Sequence, residues 1–335
     1  MKKFGIGFLI VIGLLDILVG LEVSGYAKER FIAALKTYGP VERVFDSYYS
    51  VLGPRSMLAS VETTFPYCHS EAHDLGKIIL TKTEDMNQSI ELCGYGCTGG
   101  CFHGVLMKEF GAADGDHTTL EDVQDKIRTV CDLPATVAKN PNKEGNCPHG
   151  VGHALELLAD YDLKKALSYC KLFPSRPLEY YCATGVFMEY DLKYASVDTV
   201  EKPLLYPCDI YTEFPTACLR YKTYHLKLAL GLEGLQKECL SLTGRMRLGC
   251  FYGVGFSSVQ DIYRDPASLA KICGVGTIDD QKMCIEAISE DVTEFDADVS
   301  KQACDSLPDS LKGFCREGLE REYYSIHKDF RSYFE

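Results

Sequence analysis

Apolar residues recur at helical spacing along most of this 335-residue chain. In the segment 162–170, Leu163, Ala166 and Cys170 follow one another at intervals of three and four residues, which places them on one face of a helix. Runs that alternate apolar and polar residues between turn-forming residues are few, so strand signals are sparse. The pattern therefore predicts an all-α fold.

The first apolar stretch differs from the others in its length and its flanks. Two lysines precede a mostly apolar run over residues 4–23, which is interrupted by Asp16. Such a run behind lysines is typical of an export signal that stays in the membrane as an anchor. Small residues after the run leave cleavage open as an alternative. We predict a signal-anchor or transmembrane helix over 1–25, with everything after it in an extracytoplasmic (periplasmic or extracellular) compartment.

Cysteines divide most of the remaining chain into repeating units. From residue 131 onward, the second member of each cysteine pair recurs after 35, 36, 32, 34 and 31 residues. In a unit such as 162–190, a first helix ends at a cysteine, a short Pro-containing loop follows, and a second helix begins near the next cysteine. Units of roughly 31–38 residues are typical of two-helix solenoid repeats. The sequence thus predicts disulfide-stapled helix–loop–helix repeats that form an α-solenoid. The architecture resembles that of disulfide-stapled helical repeat proteins, although the cysteine spacing differs.

The repeats have predicted boundaries on both sides. Residues 26–56 form a helical stalk or N-terminal cap, with breaks at the Gly-Pro pairs 39–40 and 53–54. The repeat domain spans 57–322, its histidine-bearing part spans 57–160, and the aromatic segment 323–335 caps the last repeat.

All sixteen cysteines fit this scheme as disulfides. Each staple would close a short loop, which contributes roughly 2–3 kcal/mol to folding. An even number of cysteines behind an export signal also favours an oxidising compartment. Spacing alone allows Cys93 and Cys97 to exchange partners. The predicted bridges are Cys68–Cys97, Cys93–Cys101, Cys131–Cys147, Cys170–Cys182, Cys208–Cys218, Cys239–Cys250, Cys273–Cys284 and Cys304–Cys315.

Histidines distinguish the first repeats from the later ones. Five of the eight histidines follow the cysteines of the first three second-helix starts, namely His69, His73, His103, His149 and His153. Two pairs have i, i+4 spacing, which places two imidazoles on one helix face. Equivalent positions of packed repeats face the same side, so His103 can lie between the two pairs. Neutral imidazoles suit Zn²⁺, Cu²⁺ or Fe²⁺, and we predict a transition-metal site. The alternatives are hydrogen-bonded packing histidines and a non-covalent haem.

Two carboxylates are candidates for a metal ligand or a general base: Glu109 and Glu189, with Glu71 and Glu156 as weaker candidates. Glycines such as Gly104, Gly150 and Gly185 also follow the cysteines, and we interpret them as helix-packing positions.

Charge and motifs narrow the functions further. The net charge of −13 argues against a nucleic-acid partner, which would require basic patches. The sequence contains no G-x-S-x-G, P-loop or Rossmann fingerprint, so enzyme and metal-binding protein both stay open. The competing hypothesis is a non-enzymatic scaffold of the cell envelope that binds a protein or peptide partner on a concave solenoid surface.

Overall fold

A computed structural model describes residues 25–39, 41–65, 68–94, 96–111, 119–133 and 143–326. Within these ranges the chain forms helices, turns and loops and no β-strand, which confirms the all-α prediction. The predicted membrane anchor lies outside the described residues except for its last position, and so does segment 327–335 of the predicted C-terminal cap. None of the helices in the described ranges combines the length and apolar character needed to cross a membrane.

The described α-helices are numbered here in chain order. They are α1 (25–38), α2 (Glu42–Leu52), α3 (Pro54–Thr64), α4 (His69–Thr83), α5 (Met86–Cys93), α6 (Gly100–Glu109), α7 (Gln124–Thr129), α8 (Lys143–Leu158), α9 (Leu163–Cys170), α10 (Arg176–Glu201), α11 (Pro215–Ser241), α12 (Gly244–Phe256), α13 (Val259–Arg264), α14 (Leu269–Cys273), α15 (Ile278–Phe295), α16 (Ala297–Asp305) and α17 (Asp309–Ile326).

The chain divides into two compact units, Met1–Glu109 and Phe110–Glu335. In the first unit, Phe31 of α1 and Phe45 of α2 are buried against each other, with ring centroids 6.0 Å apart. Helix α4 packs along α6 in the same unit. Its buried residues Leu75 and Ile79 contribute to the core because they repeat at i, i+4 on one face.

In the second unit, the helices that carry the second cysteine of each pair pack on one another in chain order. Helix α8 packs on α10, α10 on α11, α11 on α12, α12 on α15, and α15 on α17. Helix α11 spans the second helix of one predicted repeat and the first helix of the next, and it is interrupted at Gly231, where φ is +70°. This order is what stacked two-helix repeats require, and the solenoid shape itself stays a prediction.

The second helices begin earlier than the sequence predicts. The predicted start lies near the second cysteine, yet in α10, α12, α15 and α17 that cysteine is the seventh residue of the helix. A side chain on a helix leans toward the N-terminus, so a cysteine about two turns into the second helix can reach back to the end of the first. The loop between the two helices is correspondingly short.

The disulfide prediction is confirmed in all eight pairs. The sixteen cysteines are joined as predicted from their spacing, with Cα–Cα distances between 5.2 and 5.6 Å. Cys68 pairs with Cys97, and Cys93 pairs with Cys101, so the exchanged alternative does not occur. Eight disulfides indicate that the protein folds in an oxidising compartment.

Candidate metal centre

Close backbone contacts fix the helix pairs that carry the histidines. In the second unit, a Cβ built on Gly185 of α10 would lie 1.9 Å from the carbonyl oxygen of His149 in α8. A Cβ on Gly152 of α8 would likewise lie 2.1 Å from the carbonyl oxygen of Cys182. Since real Cβ atoms cannot approach so closely, only glycine permits this packing. The interpretation of these glycines as packing positions is confirmed.

The first unit uses the same packing with a different register. Gly76 of α4 faces the carbonyl oxygen of Cys101, as Gly152 faces that of Cys182, at 2.0 and 2.1 Å from the built Cβ atoms. Gly76 stands eight residues after Cys68, however, whereas Gly152 stands five residues after Cys147. Counting back from these glycines, His73 corresponds to His149. Aligning the first segment by its cysteine is therefore wrong by three residues, because Cys68 precedes its helix whereas Cys147 lies inside α8.

In the second unit, two histidines of α8 face each other. The Nε2 atoms of His149 and His153 are 3.1 Å apart. The Nδ1 atom of His149 is 2.8 Å from the hydroxyl oxygen of Thr184, and the Nδ1 atom of His153 is 2.9 Å from a carboxylate oxygen of Glu189. Both partners belong to helix α10, where they are five residues apart, and each contacts the Nδ1 atom of one ring.

Hydrogen-bond chemistry assigns the protons of this pair. The Thr184 hydroxyl donates its single hydrogen to the carbonyl oxygen of Tyr181 at 2.6 Å, so its oxygen accepts from Nδ1–H of His149. An ionised carboxylate can only accept, so Nδ1–H of His153 donates to Glu189. When both rings are neutral, each Nε2 therefore carries a lone pair, and the two lone pairs point toward the same point. A cation between them removes this repulsion.

The first unit presents a second pair of imidazoles. The Nε2 atom of His69 in α4 lies 3.1 Å from Nδ1 of His103 in α6, and the other ring nitrogen of His69 lies 2.9 Å from the hydroxyl oxygen of Thr98. Thr98 belongs to the short turn between α5 and α6, at φ +53°. The ring of His73 is 5.2 Å from His69 and 5.9 Å from His103, measured between centroids.

Each unit therefore presents one pair of predicted histidines whose ring nitrogens are close enough to hold an ion together. The pairs are His69 with His103 in the first unit and His149 with His153 in the second unit. That both pairs bind the same ion, with His73 beside them, stays a prediction. Metal identity stays open, because imidazole suits several transition metals.

The predicted carboxylates occupy different environments. Glu189 orients His153, as described above, and its other carboxylate oxygen accepts from the Tyr161 hydroxyl at 3.5 Å. Glu109 is half-buried at the end of α6, and its role stays a prediction, as does that of the half-buried Glu71. The threonines that hold His69 and His149 were not predicted as site residues. Thr184 stands two residues after its cysteine, as His103 and His149 do, whereas no sequence signal marks Thr98.

Glu156 is the most unusual carboxyl group near the histidines. It is fully buried, and neither carboxylate oxygen has a hydrogen-bond partner among the described residues. Burial, followed by the negative charge of Glu189, raises the pKa of Glu156 to about 8. The corresponding position in α4, four residues after the packing glycine, is Leu80. Packing at this position is therefore satisfied by an apolar side chain and does not require a carboxyl group.

Comparison of the chain with protein-family models, curated proteins and solved structures finds no match. The case for function consequently depends on the geometry of the site.

Proposed function

We propose that this protein binds a transition-metal ion, Zn, Cu or Fe, in an extracytoplasmic compartment. His149 and His153 supply two imidazole ligands in the second unit, and His69 and His103 supply two in the first unit. The observation that carries the proposal is the 3.1 Å separation of two Nε2 atoms whose partner nitrogens are already committed as donors.

The distance itself supports a shared ion. Zn–N bonds of about 2.0–2.1 Å in a tetrahedral arrangement place two ligand nitrogens roughly 3.3 Å apart. The His149 and His153 nitrogens are within a few tenths of an ångström of that separation. A carboxylate behind a metal-bound imidazole is also the usual support for such a ligand, because it fixes the tautomer and the ring orientation. Glu189 has this position behind His153.

The surroundings of the second-unit histidine pair favour metal binding over metal-assisted hydrolysis. A hydrolytic site needs a general base next to the metal-bound water. Glu189 is engaged with His153, so it serves here as a positioning residue and not as a general base. Capture, storage or delivery of the metal outside the cytoplasm is the function that this ligand set supports best.

The test is elemental analysis of the chain purified without an affinity tag or chelator. Wild type is expected to hold metal in a fixed ratio and His149→Ala combined with His153→Ala to hold none. His225→Ala is the matched control, because His225 pairs with Asp191 and is not one of the proposed ligands. Glu189→Gln should weaken metal affinity by about 10- to 100-fold, since it removes the charged partner of His153.

The result that overturns the proposal is equally direct. If wild type holds no metal after incubation with Zn²⁺, Cu²⁺ or Fe²⁺ and the double variant has an unchanged thermal transition, the histidines are packing residues. If the double variant retains metal, other residues of the protein bind it. The non-enzymatic scaffold that binds a protein partner stays the alternative function, and it requires a partner whose binding is insensitive to the histidine substitutions.

A further inference from the structure

A separate cleft in the second unit is lined by residues of five helices that carry second cysteines. It has a volume of about 600 Å³, which is within the range of small-molecule sites. Its walls combine aromatic and apolar side chains, such as Tyr180, Phe314 and Met283, with charged residues of α15. The five lining residues of α15 follow at helical spacing and so form one stripe along that helix: Asp279, Lys282, Met283, Glu286 and Glu290.

A buried charged network forms the floor of this cleft. The hydroxyl of Tyr252, which is only 3% exposed, donates to Glu290 and accepts from the Arg220 guanidinium at 3.3 Å. Arg220 also donates to Asp291 at 2.8 Å. One oxygen of the buried Asp291 has no hydrogen-bond partner among the described residues. Keeping so many charges away from water opposes folding, so a network of this kind marks a candidate binding site.

Two opposite charges on the cleft wall keep atoms that a ligand could bind. Tyr252 and Arg220 both approach the same carboxylate oxygen of Glu290, the guanidinium at 4.0 Å, and the other oxygen has no hydrogen bond within the described ranges. Lys282 makes no ion pair there, and its ammonium stands 5.4 Å from the centre of the Phe314 ring. By contrast, Glu286 and Arg321 line the same cleft and pair with each other.

The spacing of these two charges gives the size of the ligand. Lys282 and Glu290 are eight residues apart on α15, which corresponds to about 12 Å along the helix axis. A charge-assisted hydrogen bond of about 2.8 Å at each end leaves roughly 6–7 Å between the charged groups of the ligand itself. A dipeptide spans about 7 Å between its charged ends, since an extended residue covers roughly 3.3–3.6 Å.

We propose that this cleft binds a zwitterionic dipeptide, with its ammonium group on Glu290 and its carboxylate on Lys282. Phe314, next to Lys282, then contacts the side chain of the C-terminal residue, and an apolar or aromatic residue fits best there. Tyr180 and Tyr252 line the ammonium end, where aromatic faces favour a cation. The site is distinct from the histidine group and does not depend on bound metal.

Isothermal titration calorimetry with the dipeptide Ala-Phe tests this proposal on the full chain in the presence of EDTA. N-acetyl-Ala-Phe lacks the ammonium group, and Ala-Phe-amide lacks the carboxylate. Wild type should bind Ala-Phe about ten-fold more tightly than either blocked form, because each blocked form loses one charge-assisted hydrogen bond. Glu290→Gln should weaken Ala-Phe-amide and leave the N-acetyl form unchanged, and Lys282→Met should do the opposite.

Because each variant should weaken a different blocked dipeptide, the comparison separates direct contacts from indirect structural effects. Glu233→Gln and Lys301→Met, at exposed positions outside the cleft, are the matched controls and should bind all three probes like wild type. No heat at millimolar Ala-Phe would overturn the proposal, and so would equal losses for all probes in both cleft variants. Binding that persists in the His149→Ala, His153→Ala protein keeps this site separate from the metal proposal.

Discussion

The buried carboxyl of Glu156 predicts a specific dependence of folding stability on pH. In the folded protein this group keeps its proton up to about pH 8, whereas an ordinary glutamate loses it near 4.5. Between these pH values the folded state binds more protons than the unfolded state. Stability therefore falls as the pH rises through this window, and the loss is complete above the pKa of the folded state.

The size of the effect follows from the two pKa values. Each pKa unit corresponds to about 1.36 kcal/mol, so the interval from 4.5 to about 8 amounts to roughly 3–5 kcal/mol. The side chain has no exposed surface, so solvent does not screen it. Glu156→Gln cannot ionise and should remove this loss. The amide also lacks partners, which lowers stability by about 1–3 kcal/mol at every pH and leaves the slope unaffected.

The assay is urea denaturation of the disulfide-bonded protein at pH 5, 7 and 9 in EDTA, followed by far-ultraviolet circular dichroism. The free energy of unfolding of wild type should fall between pH 5 and pH 9 by about 3–5 kcal/mol more than that of Glu156→Gln. Glu233→Gln, at an exposed position, is the matched control and should follow wild type. Parallel pH profiles for wild type and Glu156→Gln would refute the reasoning, because they would mean that Glu156 ionises normally in the folded state.

Two further predictions concern the scaffold. Replacing the Cys170–Cys182 bridge with two serines should lower the free energy of unfolding in urea by about 3 kcal/mol, since the bridge closes a loop between residues 12 apart in sequence; an unchanged urea midpoint would remove the stapling argument. Gly185→Ala should lower the free energy of unfolding by about 3 kcal/mol or more, because the added Cβ would lie 1.9 Å from the His149 carbonyl oxygen. The same substitution should weaken metal binding. Gly313→Ala is its control, because no described atom beyond the adjoining residues and the nearby backbone of its own helix lies within 4 Å of the added Cβ. Helix propensity should raise the stability of this variant by up to about 1 kcal/mol, as thermal melts of both variants would show.

The local features of this protein could be predicted from sequence because they depend on residues close together in the chain. Helical periodicity predicts the all-α fold, and the Gly-Pro pair 53–54 predicts the end of α2 at Leu52. The cysteine rhythm predicts the six disulfides from Cys131 onward, since each helix–loop–helix unit brings its own two cysteines together, whereas spacing left the partners of Cys93 and Cys97 open. The i, i+4 spacing of His149 and His153 also places both rings on one face of α8 before any packing is considered.

Tertiary packing decided what those side chains face. The register of α4 depends on where Gly76 meets the backbone of α6. Alignment on the cysteines therefore placed His69 and His73 three residues away from their structural equivalents in α8. Thr184 and Glu189 act on the histidines from a neighbouring helix, and a single sequence contains no record of that pairing. Burial likewise separates Glu156 from an ordinary surface glutamate. Sequence by itself determined the all-α character, the six regularly spaced disulfides and the presence of the histidines. Contacts between helices determined the partners of the other four cysteines, which histidine nitrogens approach each other and which carboxyl group stays protonated. The physical reason is that desolvation and hydrogen-bond geometry arise only after the helices pack.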